Sequence, residues 1–398
     1  MTNPISFKDP LKLRCGVVIK NRLVKSAMSD SLADGEGNAT ELQARLYGRW
    51  AQSGLGLSII GEVHVDPRFP EKPGNLVLGD GIDLVALREL TSRASINGAH
   101  IWPQLSHAGG LSHLPISKPK GPSALNIDLF QCAGMSIDEV SQLPDMYAKA
   151  AMLAKKVGFT GVQIHAGHGF LLSQFLSPLF NHRQDQYGGS IEARCRIIVE
   201  IIAKVRSAVG DSFPIGIKIN STDQLEGGLT QEDALAAIRI LDQTSIDLIE
   251  ISGGSYFPGA KSSSEASTKG PYFTEFAAIA KRLTSVPIVV TGGFKTYEQA
   301  LTVIESGDGD FVGLARALVI TPELANDWLL GIKNDPSFPR FKAPPQGGIT
   351  AWYTMLLTAI ANYDEQNFDL DLVSALHVYE KIDDSRCDKW LQRFKTNE

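Results

Sequence analysis

Cysteine is scarce in this chain. Only Cys15, Cys132, Cys195 and Cys387 occur in 398 residues, and no two of them form a CxxC pair. That spacing excludes a disulfide framework, a zinc knuckle and a cysteine-ligated iron–sulfur cluster, so four reduced thiols are expected. Long apolar runs are missing too. No stretch reaches the roughly 18 apolar residues of a membrane span, and MTNPISFKDPLKL has neither the charged start nor the apolar run of a secretory signal. The expectation is a cytoplasmic protein with no membrane partner. Positive charge is also limited: the net charge is −6, the pI is near 5.8 and no basic patch stands out, so nucleic acid is not an expected partner either.

What is present is an ordinary globular composition, 43% hydrophobic and 21% charged, able to bury a large core. Between about residues 22 and 320, short β-branched runs alternate with longer amphipathic segments. Eight strands are expected: RLVKSAM (22–28), LGLSIIGEV (55–63), AHIWPQLSH (99–107), TGVQIHA (160–166), PIGIKIN (214–220), IDLIEIS (246–252), PIVVTGG (287–293) and DFVGLAR (310–316). A doubly wound sheet alternates in the same way, but eight units in about 300 residues suit a closed α/β barrel better. The expected fold is therefore a single (β/α)8 TIM barrel over residues 1–335. Residues 336–398 follow as a linker, PSFPRFKAPPQGG, a helix, ITAWYTMLLTAIANY, and an acidic then mixed tail that packs on the barrel or on a second copy in a homo-oligomer.

In such a barrel, chemistry sits on the loops after the strands. Met28 and Ser29, Glu62, Gln104 and His107, His165 and His168, Lys218, Ser252 to Tyr256, Gly292 and Gly293, and Arg316 all fall at strand ends. Two long excursions, residues 108–143 and 253–271, have the length of lids. VVTGGFKT offers bare backbone N–H groups ahead of a helix, and Arg316 stands at the next strand end, where barrels bind phosphate. The alternative is a pair of tight turns and an arginine paired with a surface carboxylate.

These residues resemble the Old Yellow Enzyme-like ene-reductases, FMN-dependent barrels, over about residues 5–345. The resemblance rests on KNRLVKSAM (20–28), QLSHAGG (104–110), QIHAGHGFLLSQFLSPLFNHRQDQYGGSIEARCR (163–196), GIKINSTD (216–223), VVTGGF (289–294) and GLARAL (313–318). It implies FMN at the barrel mouth, with Ala27 and Met28 against the ring, Ser29 and Glu62 beside it, and Gln104 on its pyrimidine edge. Lys218 takes the basic position next to the flavin, and Gly292, Gly293, Ala315 and Arg316 take the phosphate. His165 and His168 match the pair that grips a substrate carbonyl, which makes the conjugated alkene a better hydride acceptor. An HxxH pair could instead ligate zinc, but no third ligand stands at convincing spacing, and no metal is expected. Arg183, Asp185 and Tyr187 are expected to form a buried polar brace behind the histidines.

The chain departs from the family pattern at Phe170, where the family carries a proton-donating tyrosine. A positioned acid is worth about 10² to 10⁴ in rate, so water or another residue must replace it, or hydride returns and isomerises the alkene. Tyr256, at the sixth strand end, is the candidate substitute, with a plain aromatic wall as its alternative. Ser29 lies where the family has cysteine or threonine. The expected function is reduction of activated alkenes, α,β-unsaturated carbonyl compounds, by NADPH or NADH through FMN. A flavin-dependent isomerase or biosynthetic step, or a lapsed FMN-binding protein, is the alternative.

Overall fold

The computed structural model describes residues 5–127, 130–257 and 270–394. Eight parallel strands close on themselves: β1 (Leu23–Lys25), β2 (Leu57–His64), β3 (His100–Ser106), β4 (Val162–Ala166), β5 (Ile215–Asn220), β6 (Leu248–Ser252), β7 (Ile288–Thr291) and β8 (Phe311–Leu314). The β8–β1 and β1–β2 pairings seal the ring, so the molecule is a (β/α)8 barrel. Each strand lies inside its expected segment or within one residue of it, and most are shorter.

Seven helices follow the first seven strands on the outside: α1 (Glu41–Gln52), α2 (Leu84–Ala94), α3 (Ile137–Lys156), α4 (Ile191–Val209), α5 (Gln231–Asp242), α6 (Thr274–Lys281) and α7 (Tyr297–Ser306); α8 (Leu324–Leu330) comes after β8. Local sequence sets their starts. Thr40 with Gln43, and Ser136 with Glu139, each close a capping box that satisfies backbone donors which would otherwise be orphaned. The alternation of side chains along each strand then sorts the rest. Outward residues pack on the helices in one large core, while Val24, Leu57, Ile59, Trp102, Leu248, Val289 and Phe311 fill the lower barrel interior, joined by Leu13 and Ile19 of an N-terminal two-strand ribbon.

The same period of two lifts polar residues into the next level up the interior. Above Trp102 comes Gln104, above Leu248 Glu250, above Val289 Thr291, with Gln163 and Lys218 in register beside them. The first excursion is not bare loop. Residues 120–134 form a small three-strand sheet ahead of α3. Within the second, residues 258–269 lie outside the described residues.

The tail expected after the linker is longer and more regular than its composition suggests. After α9 (Gly348–Ala361) runs α10 (Leu372–Phe394), which lies on the barrel. The Trp390 indole N–H donates to the Pro67 carbonyl, Arg386 donates to the Ser31 carbonyl and Lys72 pairs with Asp383 at 3.1 Å. No helix among the described residues is long and apolar enough to cross a membrane.

Candidate active site

The strand register brings distant residues together. His165 on β4 pairs with Lys218 on β5, and Lys218 pairs with Glu250 on β6. Lys218 is 2% exposed and its ammonium lies 3.1 Å from the Glu250 carboxylate, with no exposed surface on the latter. Burial alone would raise the Glu250 carboxyl, but Lys218 and the Gln163 and Thr291 donors outweigh it and hold the group below the usual glutamate range.

One level higher lie the histidines. Their rings stand 5.1 Å apart at 89°, and both are neutral: burial first, then the Lys218 charge, drives each far below the ordinary histidine range. The backbone N–H of Gly167 donates to His165 Nδ1 at 3.1 Å, which leaves the ring proton on Nε2. That Nε2–H is buried without a hydrogen-bond partner and sits 3.4 Å from Glu62 Oε1. The His168 Nε2 lies 2.9 Å from the Ser252 hydroxyl, and its backbone takes the left-handed φ of 60°, pinned by Asn220, which accepts from the His168 N–H.

Phe170 is 1% exposed, 5.1 Å from the His165 ring and 5.7 Å from the Tyr256 ring; Tyr256 also touches His168 at 5.8 Å. Tyr256 itself is exposed at the rim. Glu62 is buried, accepts from Ser106 Oγ at 3.0 Å, and is pushed up to about 8 by burial, with the hydroxyl and Lys218 opposing. Glu71 is likewise raised to about 8, by burial and then by the nearby Glu62 charge, so near neutral pH this pair holds protons.

The remaining expected residues gather around the same mouth. A Cβ on Gly61 would stand 2.8 Å from Ala27 Cβ, 3.0 Å from Met28 N and 3.2 Å from Gln104 Oε1, so these three line one tight backbone edge. The Ser29 hydroxyl is already engaged, donating to Asn75 Oδ1 at 2.6 Å. Gly292 and Gly293 take φ of 110° and 82°, conformations that disfavour a side chain, just past β7, whose neighbour β8 ends at Leu314 ahead of Ala315 and Arg316. Arg316 lies over the Tyr353 ring at 5.7 Å instead of against a carboxylate.

One expectation is corrected. Arg183, Asp185 and Tyr187 are joined but only partly buried: Arg183, its side chain 8% exposed, pairs with Asp185, 33% exposed, and donates to the Pro122 and Met135 carbonyls, while the Tyr187 backbone N–H donates to Asp185 Oδ1 at 3.1 Å. The Tyr187 hydroxyl leaves this group and donates to Glu200. The exposed side of Asp185 spares the pair part of the desolvation that full burial would impose. Sequence reasoning missed Glu250 and Gln163; the one signal was a charge, Glu250, set between the isoleucines of the run IDLIEIS.

A barrel with a buried cation–carboxylate floor and neutral histidine donors above it suits the class of flavin-dependent oxidoreductases. The chain belongs to the NADH:flavin oxidoreductase / NADH oxidase family, whose model matches residues 7–333. An NADH-dependent flavin oxidoreductase of Neonectria is 33% identical over 369 residues, 84% of this chain, and this chain spans about half (48%) of that protein. One from Hypocrea jecorina is 31% identical over 384 residues, 86% of this chain and 95% of that protein. In fold, an Old Yellow Enzyme homologue of Zymomonas mobilis superposes with a TM-score of 0.73 at 22% identity, over 88% of this chain and 99% of that one.

FMN and a nicotinamide hydride donor come with that family. The residues present fit FMN. Lys218 and Glu250 supply a buried ion pair, His165 a buried ring nitrogen without a hydrogen-bond partner among the described residues, Gly292 and Gly293 a positive-φ turn without side chains, and Gln104 an amide beside a backbone edge that tolerates no side chain at Gly61. No three His, Cys, Asp or Glu side chains among the described residues are arranged to hold a metal.

Proposed function

We propose that this protein reduces the C=C bond of α,β-unsaturated carbonyl compounds with hydride drawn from NADH or NADPH. The observation that carries this reading is the His165 Nε2–H, a neutral, buried donor at the barrel mouth with no hydrogen bond to any described residue and only the poorly aligned Glu62 carboxyl nearby at 3.4 Å. FMN, when bound, relays the two electrons from nicotinamide to alkene. His165 and His168 receive the carbonyl oxygen and withdraw electron density from the conjugated bond; as neutral imidazoles they donate without a charge that a dry site would penalise. Lys218 offsets the negative charge that builds beneath them. Ala27, Met28, Ser29, Glu62 and Gln104 hold one side of the cofactor, and Gly292, Gly293, Ala315 and Arg316 its phosphate. Phe170 has no proton to give, so Tyr256, against both the Phe170 and His168 rings, delivers it to the α-carbon. The setting we propose is cytoplasmic, with residues 1–335 as the catalytic barrel and 336–398 as its extension.

Phe170 also favours a second reading. With the usual acid replaced by a buried ring, hydride can return and leave an isomerised alkene. Counting NAD(P)H consumed per product from the cis isomer of an acyclic α,β-unsaturated aldehyde separates the two: one per saturated product is expected for a reductase, whereas trans alkene formed without net consumption would establish the isomerase.

A further inference from the structure

The middle level of the barrel interior is a directed chain. Glu250 takes Lys218 at 3.1 Å and the Thr291 hydroxyl at 2.8 Å on Oε1, and the Gln163 amide N–H at 2.7 Å on Oε2. Gln163 Oε1 then accepts from Gln104 Nε2 at 2.7 Å. Gln163, Gln104, Lys218 and Glu250 are each 2% exposed or less. An ionised carboxylate can only accept, so the chain is polarised from the Glu250 end. Gln163 must turn its NH₂ to Glu250 and its carbonyl to Gln104, and Gln104 must spend an N–H on Gln163. Replace the carboxylate by a group that both donates and accepts, and both amides are free to flip.

Lys25 shows what happens to an ammonium buried in this protein without a carboxylate in contact. On the outer face of β1 its Nζ donates to the Tyr47 hydroxyl and the Ile59 carbonyl, each at 3.3 Å, and lies over the Tyr47 and Trp50 rings; burial pulls it down to about 7 against the more distant Asp30 charge. Lys218 is just as buried but has a carboxylate in contact.

We propose that Glu250 is the positioning residue of the cofactor site: it keeps Lys218 charged inside the barrel and, through Gln163, sets which edge of the Gln104 amide faces the flavin. This rests on FMN binding at the barrel mouth. Glu250 touches neither substrate nor reacting atoms; it acts through Lys218 and Gln104.

The test uses the FMN-loaded enzyme and compares the number of protons taken up per two electrons, from the pH dependence of the bound FMN midpoint potential between pH 7.5 and 9, with that of the natural chain. Lys218 also feels Glu62, His165 and His168, and Glu62 and Glu71 titrate in this window, so their contribution is common to every variant and the difference is what counts. Glu250→Gln is expected to take up one proton more than the natural chain, because Lys218 would be discharged beside oxidised FMN and recharged when negative charge arrives. Glu250→Asp, which keeps the carboxylate, is expected to return the count to that of the natural chain. An unchanged count in Glu250→Gln, or the extra proton in Glu250→Asp, overturns the charge role. Gln163→Met leaves the ion pair intact and cuts the amide chain; it is expected to keep the natural count and to weaken FMN binding at least ten-fold, and affinity within two-fold of the natural chain overturns the orienting role. This arm still decides if Glu250→Gln fails to fold. A natural chain that binds no FMN would defeat the cofactor reading itself, whereas a yellow chain with unaltered variants defeats only the role of Glu250.

Discussion

Two adjacent levels of the same barrel interior treat polarity in opposite ways. In the middle level Gln104, Gln163, Lys218, Glu250 and Thr291 all pair with one another, at distances of 2.7–3.1 Å. At the mouth, His165 Nε2 and His107 Nε2 are buried without a hydrogen-bond partner among the described residues. A buried polar atom left unpaired costs roughly 1–3 kcal/mol, which a ligand acceptor at the mouth would recover. On the proposed function, the middle level is finished by folding and the upper level by binding. Substitutions in the two should separate stability from chemistry.

The largest effect is expected below. Lys218→Met removes one partner of a buried ion pair and leaves Glu250 alone, a loss of roughly 3–5 kcal/mol that should appear as a lower melting temperature together with loss of flavin colour. A variant that melts like the natural chain would break the comparison. Above, His165→Leu deletes an unpartnered donor and should leave the melting temperature within a few degrees, while slowing alkene-dependent reoxidation of the reduced protein by about 10²–10³. Equal losses of stability in both variants would erase the distinction between the levels.

Phe170→Tyr sharpens it from the other side. Restoring a hydroxyl against the His165 ring should raise alkene reduction by about 10², the lower end of what a placed acid supplies, because the exposed Tyr256 serves as a poorly fixed donor. Rates that do not move would show that Tyr256 or water already supplies the proton without limiting turnover, and a Tyr256→Phe variant that also leaves the rate unchanged would remove Tyr256 from the step.

The smallest effect belongs to Glu62, whose folded carboxyl is raised to about 8 against an ordinary value of 4.5. Between those values the native state holds a proton that the unfolded chain has released, so this group lowers stability as pH rises through the window. Glu62→Gln should therefore match the natural chain below pH 4.5 and exceed it by a few degrees in melting temperature above about 8. The difference should grow across the range; thermal melts at pH 4.5, 6.5 and 8.5 measure it.

Much of the barrel was legible because its signals are local. PIGIKIN became Ile215–Asn220 and the run 287–293 became Ile288–Thr291, each bounded by proline or glycine. RLVKSAM shrank to Leu23–Lys25, since beyond it the backbone turns toward Gly61, bridging at Ser29. The mouth was legible through motif: His165, His168, Phe170 and Tyr256 stand together as ring neighbours. The floor was not. Glu250 and Gln163 are 87 residues apart and meet only through strand register across β5, which no local pattern reports. Nor was α10 visible as a helix: its buried stripe, Ala375, Asp383, Cys387 and Trp390, includes a charged residue that breaks the apolar periodicity.

The account stands on neutral histidines holding a carbonyl above a flavin. Its most direct test is an anaerobic experiment on the natural chain in two steps, first NADH or NADPH, then N-methylmaleimide. The predicted result is a yellow protein that bleaches with the nicotinamide and regains its colour as one equivalent of maleimide becomes succinimide. A chain that purifies colourless even after FMN is added, or one that bleaches and is never recoloured by a conjugated carbonyl compound, would contradict it.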